Sequence, residues 1–293
     1  MGKTPVPLAA LPAASRLVVP VMGATGGSGR TSAAGLLARG LAGAGSTVIL
    51  DLAPRLSSPW PAQLAGQTAR GLAALPPGEP LSRTAVQQAC AVHTTGNGAS
   101  WHVLSDGRAW HEQPLVLPED PAAWYQLSAI GGWQAVVADT VHPLAHDLLA
   151  ARSSGHLGQT RGWYELPFAI PVLCAAATAD GIQALQQAVM TLHAEGLPLG
   201  RSVIALVATG DGRPPAAVRA GATMLSARTA AVVHLPYDPL IRAHGLNSGR
   251  VRVRTREAAR QLTRAVLTAA YSAWGQPLPD AAHPAPISPA IAR

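Results

Sequence analysis

Apolar positions along the chain follow two rhythms. Short unbroken apolar runs stand at 17–22, 47–50, 135–138, 171–175, 202–208 and 231–233. Runs of that length without alternation predict strands buried on both faces. Between them apolar residues recur every three to four positions, which predicts helices over about 30–44, 82–91, 119–130, 142–152, 180–195, 214–226 and 255–273. Ser100 to Leu104 alternates like a strand and closes on the turn signal Asp106-Gly107. Residues 54–80 are rich in Pro, Gly and Ala and read as irregular, with room for one short helix. Strands separated by helices predict an α/β fold, a doubly wound, mostly parallel sheet with helices on both faces, in a single domain. That domain is expected over 16–275, with a flexible N-terminus at 1–15 and a Pro-rich disordered tail at 276–293.

Composition sharpens this picture. Nearly half of the 293 residues are apolar, yet Phe168 is the sole phenylalanine, so the core must be Ala, Val and Leu. Lys3 is the only lysine, a bias that matches a GC-rich bacterial genome. The formal charge of +7 permits attraction to nucleic acid. Cys90 and Cys174 form no metal or disulfide pattern, and Cys174 reads as a buried thiol. Residues 1–15 lack the plan of a signal peptide, so a cytoplasmic location is expected. No apolar stretch reaches the roughly 18 residues that a membrane span needs. His142 and His146 stand at i, i+4 without the Glu of a metalloprotease, which points away from a metal. Trp101, Trp110, Trp124 and Trp133 read as core, with a partner surface as the alternative.

The strongest chemical signal is Gly23-Ala24-Thr25-Gly26-Gly27-Ser28-Gly29-Arg30-Thr31-Ser32, directly after the first apolar run. A strand, a glycine-rich turn and a helix in that order make a loop that wraps phosphates. Its backbone N–H groups converge on an anion, and the helix start adds partial positive charge. The hydroxyl of Thr31 is a possible Mg²⁺ ligand. Asp51 and Asp139 each end an apolar strand, where open α/β sheets bind ligands, and both are candidate metal carboxylates. Both also read as turn or cap residues.

A second signal is a run of arginines. Arg250, Arg252 and Arg254 alternate with Val251 and Val253, as on an extended edge. Arg256, Arg260 and Arg264 recur every four residues, on one helix face. Such a stripe can neutralise DNA phosphates, although a solvated face is the commoner reading.

In order along the chain, these motifs resemble the MinD/ParA group of deviant-Walker phosphate-loop ATPases. Thr25 to Thr31 stands where that family has Lys-Gly-Gly-x-Gly-Lys-Thr, and Val48 to Pro54 where it has a strand and Asp-x-Asp-Pro. Val103 to Gly107 matches its Val-Leu-Pro-x-Gly, Val136 to Thr140 its Asp-Thr-Pro-Pro strand, and Val233 to Pro239 its Ile-Pro-Tyr-Asp segment. The resemblance spans about 17–270 and implies ATP and Mg²⁺ as cofactors. It would place Gly26, Gly27, Ser28, Gly29, Arg30, Thr31 and Ser32 on the phosphates and Pro236 and Asp238 near the adenine. Thr31, Asp51 and Asp139 would sit at the metal, and Arg252, Arg254, Arg256, Arg260 and Arg264 on DNA.

The departures matter as much. The signature lysine falls at Thr25, the phosphate lysine at Arg30, and the second strand-end carboxylate at Ala53. An adenine-reading Asn has no equivalent in Val207-Ala208-Thr209-Gly210, so ATP and GTP are not separated. Phosphoryl transfer depends on charge stabilisation and water positioning, and these changes remove both. The expectation is a degenerate nucleotide-binding switch or positioning protein, a homodimer acting in DNA partitioning, conjugation or secretion, with weak or no ATPase activity. The alternatives are a slow ATPase in which Arg30 replaces the lysine, and an interaction protein on a relic fold that binds no nucleotide.

Overall fold

The computed structural model describes residues 9–64, 71–76, 79–95, 98–246 and 250–282. Within them a sheet forms with the order β3-β4-β2-β5-β1-β6-β7-β8. Its strands are β1 (Leu17–Gly23), β2 (Thr47–Asp51), β3 (Ala91–Thr94), β4 (Ser100–Leu104), β5 (Ala135–Pro143), β6 (Val172–Ala176), β7 (Val203–Val207) and β8 (Ala231–Leu235). All neighbours pair in parallel except β3 with β4. The helices are α1 (Arg30–Leu41), α2 (Arg83–Gln88), α3 (Pro121–Gly131), α4 (Leu144–Ser154), α5 (Gln159–Glu165), α6 (Ala179–Ala194), α7 (Ala216–Ser226), α8 (Pro239–His244) and α9 (Val253–Trp274). The doubly wound α/β fold expected from the alternation is therefore present.

Strand residues alternate between two cores, as the period of two requires. Leu17, Val19, Val21, Ile49, Val137 and Cys174 face α1 and α9. Val18, Val48, Leu50, Val136 and Ala138 face the opposite side with Trp124, Trp133 and Trp163. Met22, Leu173, Ile204 and Leu206 continue that side against α4, α6 and α7. Strand β1 lies between β5 and β6, and the chain leaves it to build first one flank and then the other. That is the switch point where crevices open in such sheets. Pro20 is tolerated in this central strand because pairing with β6 starts only at Val21. By alternation from Val18, whose N–H turns to Phe168, Pro20 faces that unpaired stretch.

Several expectations shift. Strand β3 and helices α5 and α8 were not legible, because each is short and weakly patterned. Strand β5 continues to Pro143, so His142 lies on a strand and does not share a helix with His146. Helix α9 starts at Val253, so Arg254 is helical and the extended edge read for Arg250 to Arg254 does not continue through it. The two ends pack more than anticipated. Leu11 is buried and its N–H donates to the Ala44 carbonyl at 2.7 Å. Leu278 is buried, and the Ala281 N–H donates to the Ala14 carbonyl at 2.9 Å. The rest of both expected flexible ends, 1–8 and 283–293, lies outside the described residues. Trp101, Trp124 and Trp133 are buried as read, whereas Trp110 is 78% exposed.

Candidate phosphate-binding site

The glycine loop emerges from β1 and turns directly into α1. Gly29 stands at the N-cap with φ 77°, and Gly27 has φ 71°. Both adopt the left-handed conformation that L side chains resist. Gly29 is also hemmed in, since a Cβ there would lie 2.6 Å from Cγ1 of Val207 at the end of β7. No side chain caps α1, so its first N–H groups stay directed at the loop. The resulting cavity of about 290 Å³ is lined by Thr25, Gly27, Ser28, Gly29, Arg30, Thr31 and Ser32. This concave run of N–H groups at a helix start suits an anion.

Beneath the loop lies a polar cluster at the ends of β2 and β5. Asp51 and Asp139 are register partners on these adjacent strands. Nε of Arg30 lies 3.4 Å from Oδ1 of Asp139. On the other side, the Trp60 indole N–H donates to Oδ2 of Asp139 at 2.7 Å. Burial pushes the Asp139 carboxyl up, while Trp60, Arg30 and Thr31 act to keep it charged. Asp51 is also satisfied within the chain. Ser58 Oγ donates to its Oδ2 at 2.8 Å, and the Ala53 N–H to its Oδ1 at 3.2 Å. Burial, with the Asp139 charge adding to it, pushes Asp51 up to about 7 against those hydrogen bonds. Thr140 donates its hydroxyl back to the Val21 carbonyl and so ties β5 to β1 at the same level.

The neighbouring carboxylate, Asp106 beyond the end of β4, pairs with buried Arg55 at 3.7 Å. The same guanidinium donates to the carbonyls of Glu112 at 2.6 Å and Trp110 at 3.3 Å. Arg55 therefore pins the loop after β4 over the sheet edge. Arg55, Ser58 and Trp60 were invisible as site residues. They sit in the Pro-, Gly- and Ala-rich stretch, where periodicity says nothing. A tryptophan in such a stretch was the one available signal.

The sheet brings Thr31, Asp51 and Asp139 together, but the set does not suit a divalent cation. Metal sites of this kind need surplus negative charge and free oxygens. Here three of the four Asp oxygens already accept a hydrogen bond from the chain, and the fourth, Oδ1 of Asp139, has no hydrogen-bond partner among the described residues but faces the Arg30 guanidinium. With Asp139 ionised, Arg30 cancels it, and with Asp139 neutral the pair is positive. No group of three or more His, Cys, Asp or Glu able to hold a metal occurs among the described residues.

Pro236 and Asp238 lie past the end of β8, outside the lining of the cavity. Asp238 is spoken for. It caps α8 by accepting from the Leu240 N–H at 2.9 Å, and accepts from the Arg252 N–H at 2.8 Å before α9. Burial pushes its carboxyl up, but the nearby Thr255 hydroxyl and the N–H groups of Arg252, Leu240 and Ile241 outweigh that and hold it low. Arg252, Arg254, Arg256, Arg260 and Arg264 are all exposed along the start and outer face of α9. Arg254 pairs with Asp211 and donates to the Tyr237 carbonyl, and Arg260 lies 3.5 Å from Glu257. Arg252, Arg256 and Arg264 make no salt bridge among the described residues. No helix described is long and apolar enough to cross a membrane.

No protein-family model matches the chain, and no curated protein matches its sequence. Its architecture has solved counterparts. MinD from Aquifex aeolicus, in its complex with MinC, superposes with a TM-score of 0.55 at 12% identity, over 86% of this chain and 96% of that one. A ParA family ATPase from Chlorobium tepidum TLS gives 0.53 at 13%, covering 87% and 99%. An ATP complex of a McdA variant from Cyanothece gives 0.51 at 12%, covering 86% and 96%. With the strand–loop–helix site at the switch point of the sheet, these likenesses show that the chain has the phosphate-loop fold of the MinD/ParA ATPases.

Proposed function

We propose that this protein is a ParA/MinD-like nucleotide-binding positioning protein whose loop holds a nucleoside triphosphate and turns it over weakly or not at all. The observation that carries this reading is the pairing of an open anion cradle with a site that has turned inward. The cradle faces solvent, while Arg30 is directed at Asp139 and Ala53 offers a methyl group where the family pattern has a carboxylate. An arginine at this position keeps charge, but its planar fork does not reproduce a lysine point charge. Binding through backbone N–H groups needs neither lysine. The likeness to McdA in an ATP complex supports ATP as the ligand. The exposed arginines of α9 support contact with DNA in partitioning, conjugation or secretion, carried out by a homodimer.

The test is calorimetric titration with ATP and GTP, together with phosphate release in the presence of DNA. Binding with release at background is the expected result. Turnover abolished by Arg30→Ala would establish the slow ATPase instead. Absence of binding at millimolar nucleotide would leave an interaction protein on a relic fold.

A further inference from the structure

We propose that the loop takes its polyphosphate without a divalent cation, and that Arg30 supplies from within the chain the positive charge a metal would bring. The inference rests on the reading that the loop holds a nucleoside triphosphate. Its basis is the geometry at Asp139. One oxygen accepts from Trp60 at 2.7 Å; the other has no hydrogen-bond partner among the described residues but lies 3.4 Å from the Arg30 guanidinium, so a metal at that oxygen would sit against a positive charge. Trp60 is fully buried, so the donor on the second oxygen of Asp139 is held in place by packing. Thr31 lines the cavity beside the same carboxyl. Asp51 is closed off by Ser58 and by the Ala53 N–H.

Arg30 is placed to serve both sides. Its side chain is 20% exposed, it lines the cavity, and its Nε, which has no hydrogen-bond partner among the described residues, lies 3.4 Å from Oδ1 of Asp139. A guanidinium drawn to Asp139 by charge in this way stands beside the anion site, with donors left over for phosphate oxygens. A cation brought in beside it would meet repulsion from Arg30, with Asp51, whose oxygens already accept from Ser58 and the Ala53 N–H, left to offset it. The ligand class is therefore a metal-free phosphate chain. A nucleotide and a simple polyphosphate share that chemistry.

The experiment is titration calorimetry of the full chain with ATP, ADP, pyrophosphate and inorganic phosphate, each in EDTA and in excess Mg²⁺. The affinity for ATP is expected to agree between the two buffers within about threefold. Pyrophosphate binding as tightly as ATP would assign the ligand to polyphosphates, and tighter ATP to nucleotides; both support the inference. A tenfold or greater gain with Mg²⁺ overturns the inference and leaves the nucleotide reading standing. No binding in either buffer overturns both. Arg30→Gln, with its fold checked by circular dichroism, should lose tenfold or more in EDTA, and unchanged affinity there would also overturn the inference. Asp139→Asn should not weaken binding selectively in Mg²⁺, and a loss confined to that buffer counts against it.

Discussion

The indole N–H of Trp60 donates to Oδ2 of Asp139 at 2.7 Å across a sequence separation of 79 residues. The bond joins an irregular segment to the end of a central strand, and both partners are buried. Trp60→Phe keeps most of the ring but leaves that oxygen without its donor. A buried acceptor deprived of its partner costs roughly 1–3 kcal/mol. Urea unfolding of the variant should show a loss in that range, and a loss near zero would mean that the bond is not formed in solution.

Asp51 makes stability depend on pH. Its folded carboxyl is pushed up to about 7 from 3.8, so the native state holds its proton where the unfolded chain has released it. The contribution is full below the unfolded value and is lost as pH rises through the folded one. Urea midpoints should therefore fall between about pH 4 and pH 7. Asp51→Asn should flatten that slope, and a slope that persists unchanged assigns the effect to another group.

Gly27 and Gly29 share a backbone region but not their surroundings. A Cβ at Gly27 meets nothing within 4 Å, whereas one at Gly29 strikes Val207. Gly27→Ala should cost about 1–2 kcal/mol, the left-handed penalty alone. Gly29→Ala should cost clearly more, because β7 must also give way. Equal losses in thermal unfolding would mean that Val207 does not press on the loop.

Arg55 is buried with Asp106 and holds two carbonyls of the following loop. Arg55→Met strands a buried carboxylate, a change that typically costs about 3–5 kcal/mol. Limited proteolysis should then cut within 108–116 much faster than in the parent. Resistance equal to the parent would show that the loop is held by other contacts.

The arginines of α9 predict a salt-dependent affinity for duplex DNA. Replacing Arg252, Arg256 and Arg264 with Ala should weaken binding without regard to sequence. Each phosphate contact removed should reduce the slope of log K against log salt by roughly 0.9. A gel shift unchanged in the triple variant excludes this face as the contact.

The fold was readable because buried parallel strands write themselves as unbroken apolar runs, and β1, β2, β5, β6 and β7 all do so. The loop was readable because its glycines sit between such a run and a helix. Asp51 and Asp139 were found for the same reason, as polar residues ending apolar strands. What the sequence pattern cannot carry is who answers those carboxylates. Trp60 reaches Asp139 and Ser58 reaches Asp51, as Arg55 reaches Asp106, all from a segment without a periodic pattern, so their role follows from tertiary proximity alone. Asp238 has a structural duty that was not legible for a related reason. The motif located it correctly past β8, but its oxygens are consumed in joining α8 to α9.

Helix α1 begins at the loop and α9 carries the arginines, and the two pack so closely that a Cβ on Gly40 would collide with the Thr263 side chain. Near the same contact, burial and then the charge of Arg256 lower the Arg39 guanidinium. The helix that starts at the loop and the helix that bears the basic face thus share one close-packed seam. Were an anion bound at the loop and a duplex on the basic face, any influence of the one on the other would have to be equal in both directions.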